Sequence, residues 1–199
     1  MRLVLASGSP WRAQMLRRAG VAFTVRTQPV DEEAIREALH AEGVTADDAA
    51  VALAELKAQR VAMGEPDPDV VVLGCDQILD LDGRWFGKAG SRDEARANLM
   101  ALRGRMHRLP TAAVAFRGGR RIWHHVAAPR LWVREFSEGF LEQYLDDAGE
   151  ATLQTCGGYE LEGLGGQLMA RVDGDVFTVL GLPLLPVLQF LRDQGVLVR

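Results

Sequence analysis

The chain has 199 residues, 48% of them hydrophobic, which is enough apolar material to bury a core as one domain or as two closely joined lobes. Its formal net charge of −4 argues against a nucleic acid duplex as the main partner, because duplex binding needs a clustered excess of Lys and Arg. The first apolar run is too short for a signal peptide core or for a membrane span of roughly 20 residues. We therefore predict a cytoplasmic protein without membrane association, in which a small anion could still bind a local basic pocket.

The first part of the chain alternates short strands with helices. Residues 2–6 have the pattern of a strand that ends in Ser7-Gly8-Ser9-Pro10, and residues 11–19 have the composition of a helix. Residues 21–25 alternate apolar and polar side chains as a second strand does. Residues 29–33 then lead into a helix that is predicted to continue to about residue 41, with acids at its start.

The middle of the chain combines a long helix with a buried strand. Residues 45–63 carry an N-cap candidate, first-turn acids and many Ala and Leu, and they predict a helix with Lys57 in its second half. Residues 70–73 form a continuous apolar run, which is typical of a strand buried on both faces. This strand is expected to deliver Gly74-Cys75-Asp76-Gln77 at its carboxyl end, and a hairpin turn follows at residues 80–84.

The rest of the chain continues the alternation. The predicted elements are a capped helix over 91–102, strands over 108–117, 121–126 and 129–133, a capped helix over 137–147, a glycine-rich stretch over 157–166, a strand over 167–172 and a helix over 183–193. We find neither a repeat nor a low-complexity linker. Interleaved strands and helices with at least one hairpin favour an α/β fold with a mixed sheet.

The loop after the first strand is a candidate anion site. It places the hydroxyls of Ser7 and Ser9 and free backbone amides at a helix N-terminus, where the helix dipole attracts an anion such as phosphate. The same residues also make an ordinary helix cap. Arg12, in the first turn, favours the anion, because a cation there opposes the dipole and calls for a compensating negative charge.

Two acids are well placed to bind a hard cation. Glu32 begins a helix, although an exposed carboxylate with no function is the simpler interpretation of that residue alone. Asp76 follows four apolar strand residues, where open α/β sheets usually bind ligands. With Arg12, Lys57 and Lys88, these acids would supply two carboxylates and three cations, which is the inventory that phosphoryl chemistry needs.

Eight segments spread over essentially the whole chain resemble, in order and spacing, the Maf nucleotide pyrophosphatases. They are Leu5-Ala6-Ser7-Gly8-Ser9-Pro10-Trp11-Arg12, Val30-Asp31-Glu32, Lys57, Gly74-Cys75-Asp76-Gln77, Gly87-Lys88, Gly104 with His107 and Thr111, Gly158-Tyr159 with Glu162-Gly163, and Gly181-Leu182-Pro183-Leu184. The resemblance implies a single domain over residues 1–199. Its fold would be a mixed twisted sheet with flanking helices, in two lobes around a cleft, related to the inosine triphosphate pyrophosphatases.

The resemblance also implies hydrolysis of a nucleoside triphosphate to the monophosphate and pyrophosphate, with Mg²⁺ or Mn²⁺ as cofactor and often as a homodimer. The positions that match assign phosphate binding to Ser9, Arg12, Lys57 and Lys88, and Ser7 is a further expected substrate-binding residue. Glu32 and Asp76 would hold the metal, and Asp76 would activate the attacking water, which makes Asp76, Lys88 and Arg12 the implied catalytic set. Fixed cations suit this reaction, because charge develops on the leaving pyrophosphate.

Three residues resemble the branch of the family that hydrolyses 7-methyl-GTP. They are Trp11, Gln77 and Glu162, where the enzymes for pyrimidine nucleotides carry Arg, Thr and Gln. The choice has a chemical rationale, since 7-methylguanine is cationic and Trp is the best side chain for binding a cation by its ring face. A glutamate can also accept hydrogen bonds from the N1–H and N2–H₂ edge of guanine. Without the resemblance, Trp11 could simply pack beside Met15, and Glu162 could be an exposed loop acid.

Two alternatives stay open at this point. The same phosphate machinery would serve a pyrophosphatase for GTP or for dTTP, UTP or CTP. A non-catalytic nucleotide-binding regulator of septum formation is also possible, although it would have no use for a water-activating carboxylate. A general base at His107 is set aside, because the matching family position belongs to neither the metal nor the phosphate set. Cys75 and Cys156 form no CxxC pair, so free and mostly buried thiols are predicted.

Overall fold

The computed structural model describes residues 1–198 and shows two compact units, each built on its own sheet. The first unit comprises residues 1–77, 111–127 and those from 175 onward, and the second comprises residues 78–110 and 128–174. In chain order the elements are β1 (Arg2–Leu5), α1 (Pro10–Arg18), β2 (Thr24–Val25), α2 (Glu32–Ala41), α3 (Ala46–Ala62), β3 (Val70–Gln77), β4 (Leu79–Leu81), β5 (Arg84–Phe86), α4 (Arg92–Leu102), β6 (Met106–Arg108), β7 (Thr111–Arg117), β8 (Arg120–Ala127), β9 (Arg130–Val133), α5 (Glu138–Ala148), α6 (Ala151–Gln154), a 3₁₀ helix (Leu164–Leu168), β10 (Met169–Asp173), α7 (Val176–Val179) and α8 (Leu184–Asp193).

The sheet of the first unit is mixed and has the strand order β2-β1-β3-β7-β8. Strand β1 runs parallel to β2 and to β3, whereas β7 pairs antiparallel with both β3 and β8. Side chains of β1 and β3 pack with buried residues of α1 and α8 in one apolar cluster, which includes Leu5, Leu16, Leu73 and Phe190. Burying each such side chain contributes about 1.5–3 kcal/mol, so this layer is a main source of stability for the unit.

A glycine in β3 lets helix α3 lie directly against the sheet. A Cβ atom on Gly74 would lie 2.2 Å from Ala54 O and 2.8 Å from Ala58 N, so no larger residue fits there without moving the helix. Side chains two apart in a strand share a face, and residues three or four apart in a helix share a side. The contact at Gly74 therefore brings Asp76 of β3 and Lys57 of α3 together.

The sheet of the second unit is antiparallel, with the strand order β10-β9-β6-β4-β5. The predicted hairpin turn at residues 80–84 joins β4 to β5. Both capped helices are also confirmed, because Ser91 Oγ accepts from Glu94 N at 3.2 Å and Ser137 Oγ accepts from Phe140 N at 3.1 Å. The predicted α/β class is therefore correct, with two sheets where a single mixed sheet was expected.

Several strand predictions differ from the structure. Of the strand predicted over 21–25 only Thr24–Val25 is a strand, and the first two residues of the strand predicted over 167–172 belong to the 3₁₀ helix. Strand β3 does not end at residue 73 but continues to Gln77, because β7 pairs with its last four residues, from Gly74 opposite Val114 to Gln77 opposite Thr111. The strand predicted over 108–117 is two strands, β6 and β7, which belong to different sheets. Pro110 lies between them, where its missing N–H interrupts a ladder.

The short helices were not predicted. Helix α7 consists of Val-Phe-Thr-Val, whose β-branched residues do not suggest a helix. It forms because the Asp175 carboxylate caps it, accepting from Thr178 N at 2.8 Å and from Thr178 Oγ1 at 2.7 Å. Among residues 1–198, no helix combines the length and the apolar character that a bilayer crossing requires.

Candidate functional site

The loop between β1 and α1 is held by its own hydroxyls. Ser7 Oγ accepts from Ser9 N at 3.3 Å and from Arg12 Nη1 at 3.0 Å. Ser9 is the N-cap of α1, and its Oγ accepts from Arg12 N at 3.5 Å. Ser9 thus makes the ordinary capping contact that the sequence also allowed. Because both oxygens act as acceptors inside the loop, both O–H groups remain able to donate to a phosphate.

The guanidinium of Arg12 is held by protein oxygens. Its Nε donates to Gly181 O and its Nη1 donates to Cys75 O, both at 2.7 Å, in addition to the contact with Ser7. The sequence predicted that the positive charge of Arg12 calls for a compensating anion. The partial negative charges of these two carbonyl oxygens provide part of that compensation. Within residues 1–198, Nη2 of Arg12 has no hydrogen-bond partner, so this nitrogen is the one that can reach an added anion.

Lys57 lies between the two acids that were predicted to hold a metal. Its Nζ donates to Glu32 Oε2 at 2.8 Å and to Asp76 Oδ1 at 2.5 Å. The side chains of Lys57 and Asp76 are 12% and 9% exposed, whereas that of Glu32 is 45% exposed. Glu32 is thus neither a free surface carboxylate nor a buried one. Two carboxylates around one ammonium leave this triad with a formal charge of −1.

Local structure brings the triad next to the serine loop. Asp31 caps α2 by accepting from Ala34 N at 3.1 Å, which places Glu32 in the first turn. A small open pocket lies beside these residues and is lined by Ala6, Ser7, Gly8, Thr27, Gln28, Glu32 and Lys57. Thr27 and Gln28 were not anticipated, since a polar residue before Pro29 carries no signal beyond that of a loop. The pocket combines hydroxyl donors, one ammonium and a carboxylate.

The two carboxylates suit a hard divalent cation. Mg²⁺ is commonly bound by one or two carboxylates together with substrate phosphates and water, so Glu32 and Asp76 are a sufficient donor set. No group of three or more His, Cys, Asp or Glu with metal-site geometry occurs among residues 1–198. The other ligands would therefore come from phosphate and water, and the Lys57 ammonium would have to release the carboxylate oxygens that it now contacts.

Gln77 and Trp11, both predicted to contact the base, differ in their availability. The Nε2 group of Gln77 donates to Thr111 Oγ1 at 2.8 Å and to the carbonyls of Thr178 and Val179 at 3.0 Å each. The amide nitrogen is thus fully engaged within the protein, and only Oε1 could contact a ligand. Trp11 is half-buried in the first turn of α1.

The second unit carries the other two predicted substrate residues. Lys88 is exposed and its backbone forms an isolated antiparallel bridge with Cys156. Glu162 is an exposed loop residue, as the simpler interpretation also predicted. Its neighbour Glu160, which sequence reasoning overlooked, is half-buried, and burial together with the charge of Glu162 raises the pKa of the Glu160 carboxyl. Alternating acids at 160 and 162 were the signal that could have identified Glu160.

His107 and the cysteines have structural environments. His107 is buried, its Nε2 lies 2.6 Å from Tyr159 Oη, and burial lowers the pKa of His107 to about 4. A buried, weakly basic imidazole fits the packing role that was preferred over a general base. Both cysteines are free, as predicted, and burial raises the pKa of Cys75 to about 11, so its thiol stays protonated and inert.

Comparison with known proteins agrees with the resemblance. The family described as "Maf-like protein" matches residues 2–194. A protein of Paramagnetospirillum magneticum named nucleoside triphosphate pyrophosphatase is 53% identical over 98% of this chain and 100% of its own length. A protein of Rhodospirillum rubrum with the same name is 50% identical over 98% and 96%. One of Rhizobium meliloti, named 7-methyl-GTP pyrophosphatase, is 44% identical over 97% and 96%. With a family match over nearly its whole length, the chain belongs to the Maf-like proteins.

Proposed function

We propose that this protein hydrolyses a nucleoside triphosphate to the monophosphate and pyrophosphate with a divalent metal, and that 7-methyl-GTP is its preferred substrate. Membership of the family and relatives of about 50% identity that are named nucleoside triphosphate pyrophosphatases support the reaction class. The observation that carries the proposal is the Lys57, Glu32 and Asp76 triad beside the serine loop. It offers a base, a cation and hydroxyl donors within one unit.

Each side chain around the phosphates would have its own role in the reaction. A bound Mg²⁺ or Mn²⁺ would neutralise phosphate charge and lower the pKa of water. The Asp76 carboxylate would accept the proton of the attacking water as the bond between the α and β phosphates breaks and pyrophosphate leaves with the bonding electrons. Lys57 would move from the carboxylates to phosphate oxygens, and Ser7 and Ser9 would donate their O–H groups to the same phosphates.

Two side chains would select the base. Trp11 would stack on the cationic ring of 7-methylguanine, and Glu162 would accept hydrogen bonds from its N1–H and N2–H₂ edge. The relative named for 7-methyl-GTP is less similar to this chain than the relatives with the general name, so a second candidate function is also considered. That candidate is a pyrophosphatase for GTP or pyrimidine triphosphates. It is favoured because the Gln77 amide nitrogen donates to protein oxygens and so is not available to bind 7-methylguanine.

The test is pyrophosphate release with Mg²⁺ from 7-methyl-GTP, GTP, dTTP, UTP and CTP, with a chelator as control. We expect kcat/KM for 7-methyl-GTP to exceed that for the others by about tenfold, since a cation on an aromatic face contributes about 1–2 kcal/mol. Trp11→Arg should remove most of this preference without changing pyrophosphate release from UTP. Preference for a pyrimidine would keep the reaction and reject the base assignment, and no release from any nucleotide would reject the reaction.

For Glu162, the neighbouring acid supplies a matched comparison. Glu162→Gln should lower kcat/KM for 7-methyl-GTP more than for UTP, because it removes a charge-assisted acceptor from the guanine edge. Glu160→Gln removes the same charge two residues away. Equal effects of the two variants would assign the preference to general charge in this loop and not to hydrogen bonding by Glu162.

A further inference from the structure

The loop that carries Glu162 is held in the core of the second unit by an aromatic residue. Tyr159 is 6% exposed, and its Oη lies 2.6 Å from Nε2 of His107 in β6. The preceding residue is fixed by a different element, because Tyr144 of α5 donates to Gly158 O at 2.9 Å. A strand and a helix thus each make a hydrogen bond to one of two adjacent residues in this loop.

The hydroxyl of Tyr159 is the hydrogen-bond partner on which the His107 ring depends. His107 is 1% exposed, and its other ring nitrogen, Nδ1, has no hydrogen-bond partner among residues 1–198. Removing the hydroxyl would leave both ring nitrogens unpaired and shielded from solvent, which is unfavourable for a buried polar group. The pair therefore favours one position of Tyr159, and with it one position of the loop.

Before Tyr159, the loop pairs with the backbone of Lys88. The pairing is the isolated antiparallel bridge between Lys88 and Cys156, which lies three residues before the tyrosine. Between them, Gly157 has φ +83°, and a Cβ atom there would lie 2.5 Å from Leu79 Cδ1. The loop backbone thus packs directly on the core, with no side chain between them. A displacement of Tyr159 would consequently move Cys156 and the backbone of Lys88 that pairs with it.

After Tyr159, the chain makes a tight turn that contains Glu162. Gly163 N donates to Glu160 O at 3.1 Å, which closes the turn. A Cβ atom on Gly165 would lie 2.5 Å from Glu160 O and 2.8 Å from Glu160 N, so the returning chain packs closely against the start of the turn. Glu160 follows Tyr159 directly. The turn therefore takes its position from the tyrosine.

We infer that the hydrogen bond between Tyr159 and His107 is a positioning contact, which holds Lys88 and Glu162 in one fixed arrangement for a nucleotide. The inference rests on the proposed function for the roles of Lys88 at the phosphates and Glu162 at the base. Tyr159 and His107 are themselves almost fully buried, so they act through the loop and not by touching the substrate. Loss of their contact should therefore impair phosphate binding and base selection together.

The test uses Tyr159→Phe, which removes only the hydroxyl. The ratio of kcat/KM for 7-methyl-GTP to that for UTP should fall by about threefold or more, because Glu162 loses its alignment with the guanine edge. The value for UTP itself should fall by about tenfold, because Lys88 loses its alignment with the phosphates. Adding Tyr159→Phe to Glu162→Gln should change the ratio by less than about twofold, and adding it to Lys88→Met should change the UTP value as little.

Two further positions separate positioning from a general loss of stability. Thr152→Val removes a buried hydroxyl of the same unit, which donates to Gly149 O at 2.7 Å, and it should lower the melting temperature without changing the ratio. His107→Gln keeps a polar group for Tyr159 and should retain the ratio, whereas His107→Leu should lose it as Tyr159→Phe does. If Tyr159→Phe does not fold, His107→Leu is measured in its place. A ratio that falls equally in Thr152→Val would overturn the inference.

Hydrogen exchange without nucleotide separates this inference from the proposed function. Amides of residues 88 and 156–163 should exchange about tenfold faster in Tyr159→Phe than in the wild type, whereas those of α2 in the first unit should not change. A wild-type protein that cleaves no nucleotide would refute the proposed function, and faster exchange would still support the anchoring of the loop. Unchanged exchange in the loop, an unchanged nucleotide ratio, or effects that add to those of Glu162→Gln would overturn the inference.

Discussion

Two clusters of ion pairs in this molecule have similar composition and opposite surroundings. In the first unit, Lys57 joins Glu32 and Asp76 where the lysine and the aspartate are almost fully covered. In the second unit, two arginines of α4 pair with three acids of α5 on the open surface. These residues are Arg92 and Arg96, with Glu138, Glu142 and Asp146. The N···O distances are equally short in both clusters, so distance alone does not tell which pairs contribute to stability or function.

What distinguishes the clusters is the solvent around them. Water and salt screen the pairs between α4 and α5, where ordered side chains also lose entropy, so such pairs contribute little. Around Asp76, water cannot replace a lost partner, and removing one charge leaves the other unpaired. The covered cluster is also the one beside a pocket and the serine loop. We therefore expect mutations of equal size to have very different effects in the two places.

The largest effect is expected from Asp76→Asn. Turnover should fall by about 10³-fold or more, because the amide cannot accept the proton of water, while the amide oxygen still accepts from Lys57 and the fold survives. Steady-state pyrophosphate release and a thermal melt check the two parts. Asp69→Asn makes the same change in the exposed turn before β3 and should leave turnover unchanged. Full activity in the Asp76 variant would remove this residue from the mechanism.

The next largest effect is expected from Lys57→Met, which leaves two acids without the cation that they share. The free energy of unfolding should fall by about 3 kcal/mol, the usual consequence of removing one partner of a covered pair. Urea unfolding at pH 7 measures it. Lys57→Arg retains the charge and should lose clearly less. An equal loss in both variants would mean that the shape of the lysine, and not its charge, is what the cluster requires.

A buried group that titrates extends the comparison to pH. Burial lowers the pKa of His107 to about 4, whereas an unfolded histidine titrates near 6.5. The unfolded chain therefore binds the extra proton first, so stability is full above pH 6.5 and falls by about 3 kcal/mol as the pH drops to 4. Urea unfolding at pH 7, 6 and 5 should show a shallower decline for His107→Gln. The exposed His40→Gln should follow the wild type, and parallel curves for all three would contradict the assignment.

The smallest effect is expected from Arg96→Met in the exposed cluster. Arg96 donates from Nε to Glu142 at 2.7 Å and from Nη2 to Glu138 at 3.0 Å, and these partners keep its pKa above the ordinary value. The melting temperature should change by no more than about 2 °C in low salt and should not change in 0.5 M NaCl. A loss comparable to that of Lys57→Met would show that burial is not what separates the clusters.

Local signals in the sequence predicted local structure well. The helices that begin after Ser91 and Ser137 were found because the cap and the apolar pattern lie within one turn of each other. The end of β3 was missed, since it is set by pairing with β7, whose first residue lies 34 positions further along from Gln77. Sequence analysis that takes one segment at a time does not reveal such a partner. For the same reason, the division between β6 and β7 became apparent only in the structure.

Prediction of the candidate site shows the same contrast between local signals and contacts that are distant in sequence. Asp76 could be predicted from residue pattern alone, because an acid after a buried strand is an unusual placement. Lys57 alone could not, since a lysine in a helix is ordinarily a surface residue, and only its combination with the acids and the family resemblance pointed to it. The internal use of the Gln77 amide depends on carbonyls 101 and 102 positions away, which no pattern in the sequence indicates.

The way the chain is divided between the two units has a consequence for biosynthesis. The sheet of the first unit is assembled from segments before residue 77 and after residue 111, and its apolar face is completed by α8. A ribosome therefore releases β1, β3 and β7 well before α8, and the part of their apolar face that α8 covers stays exposed until then. Contacts of such long sequence separation slow folding. The nascent chain is consequently most open to aggregation, or to a chaperone, in the interval before residues 184–193 emerge.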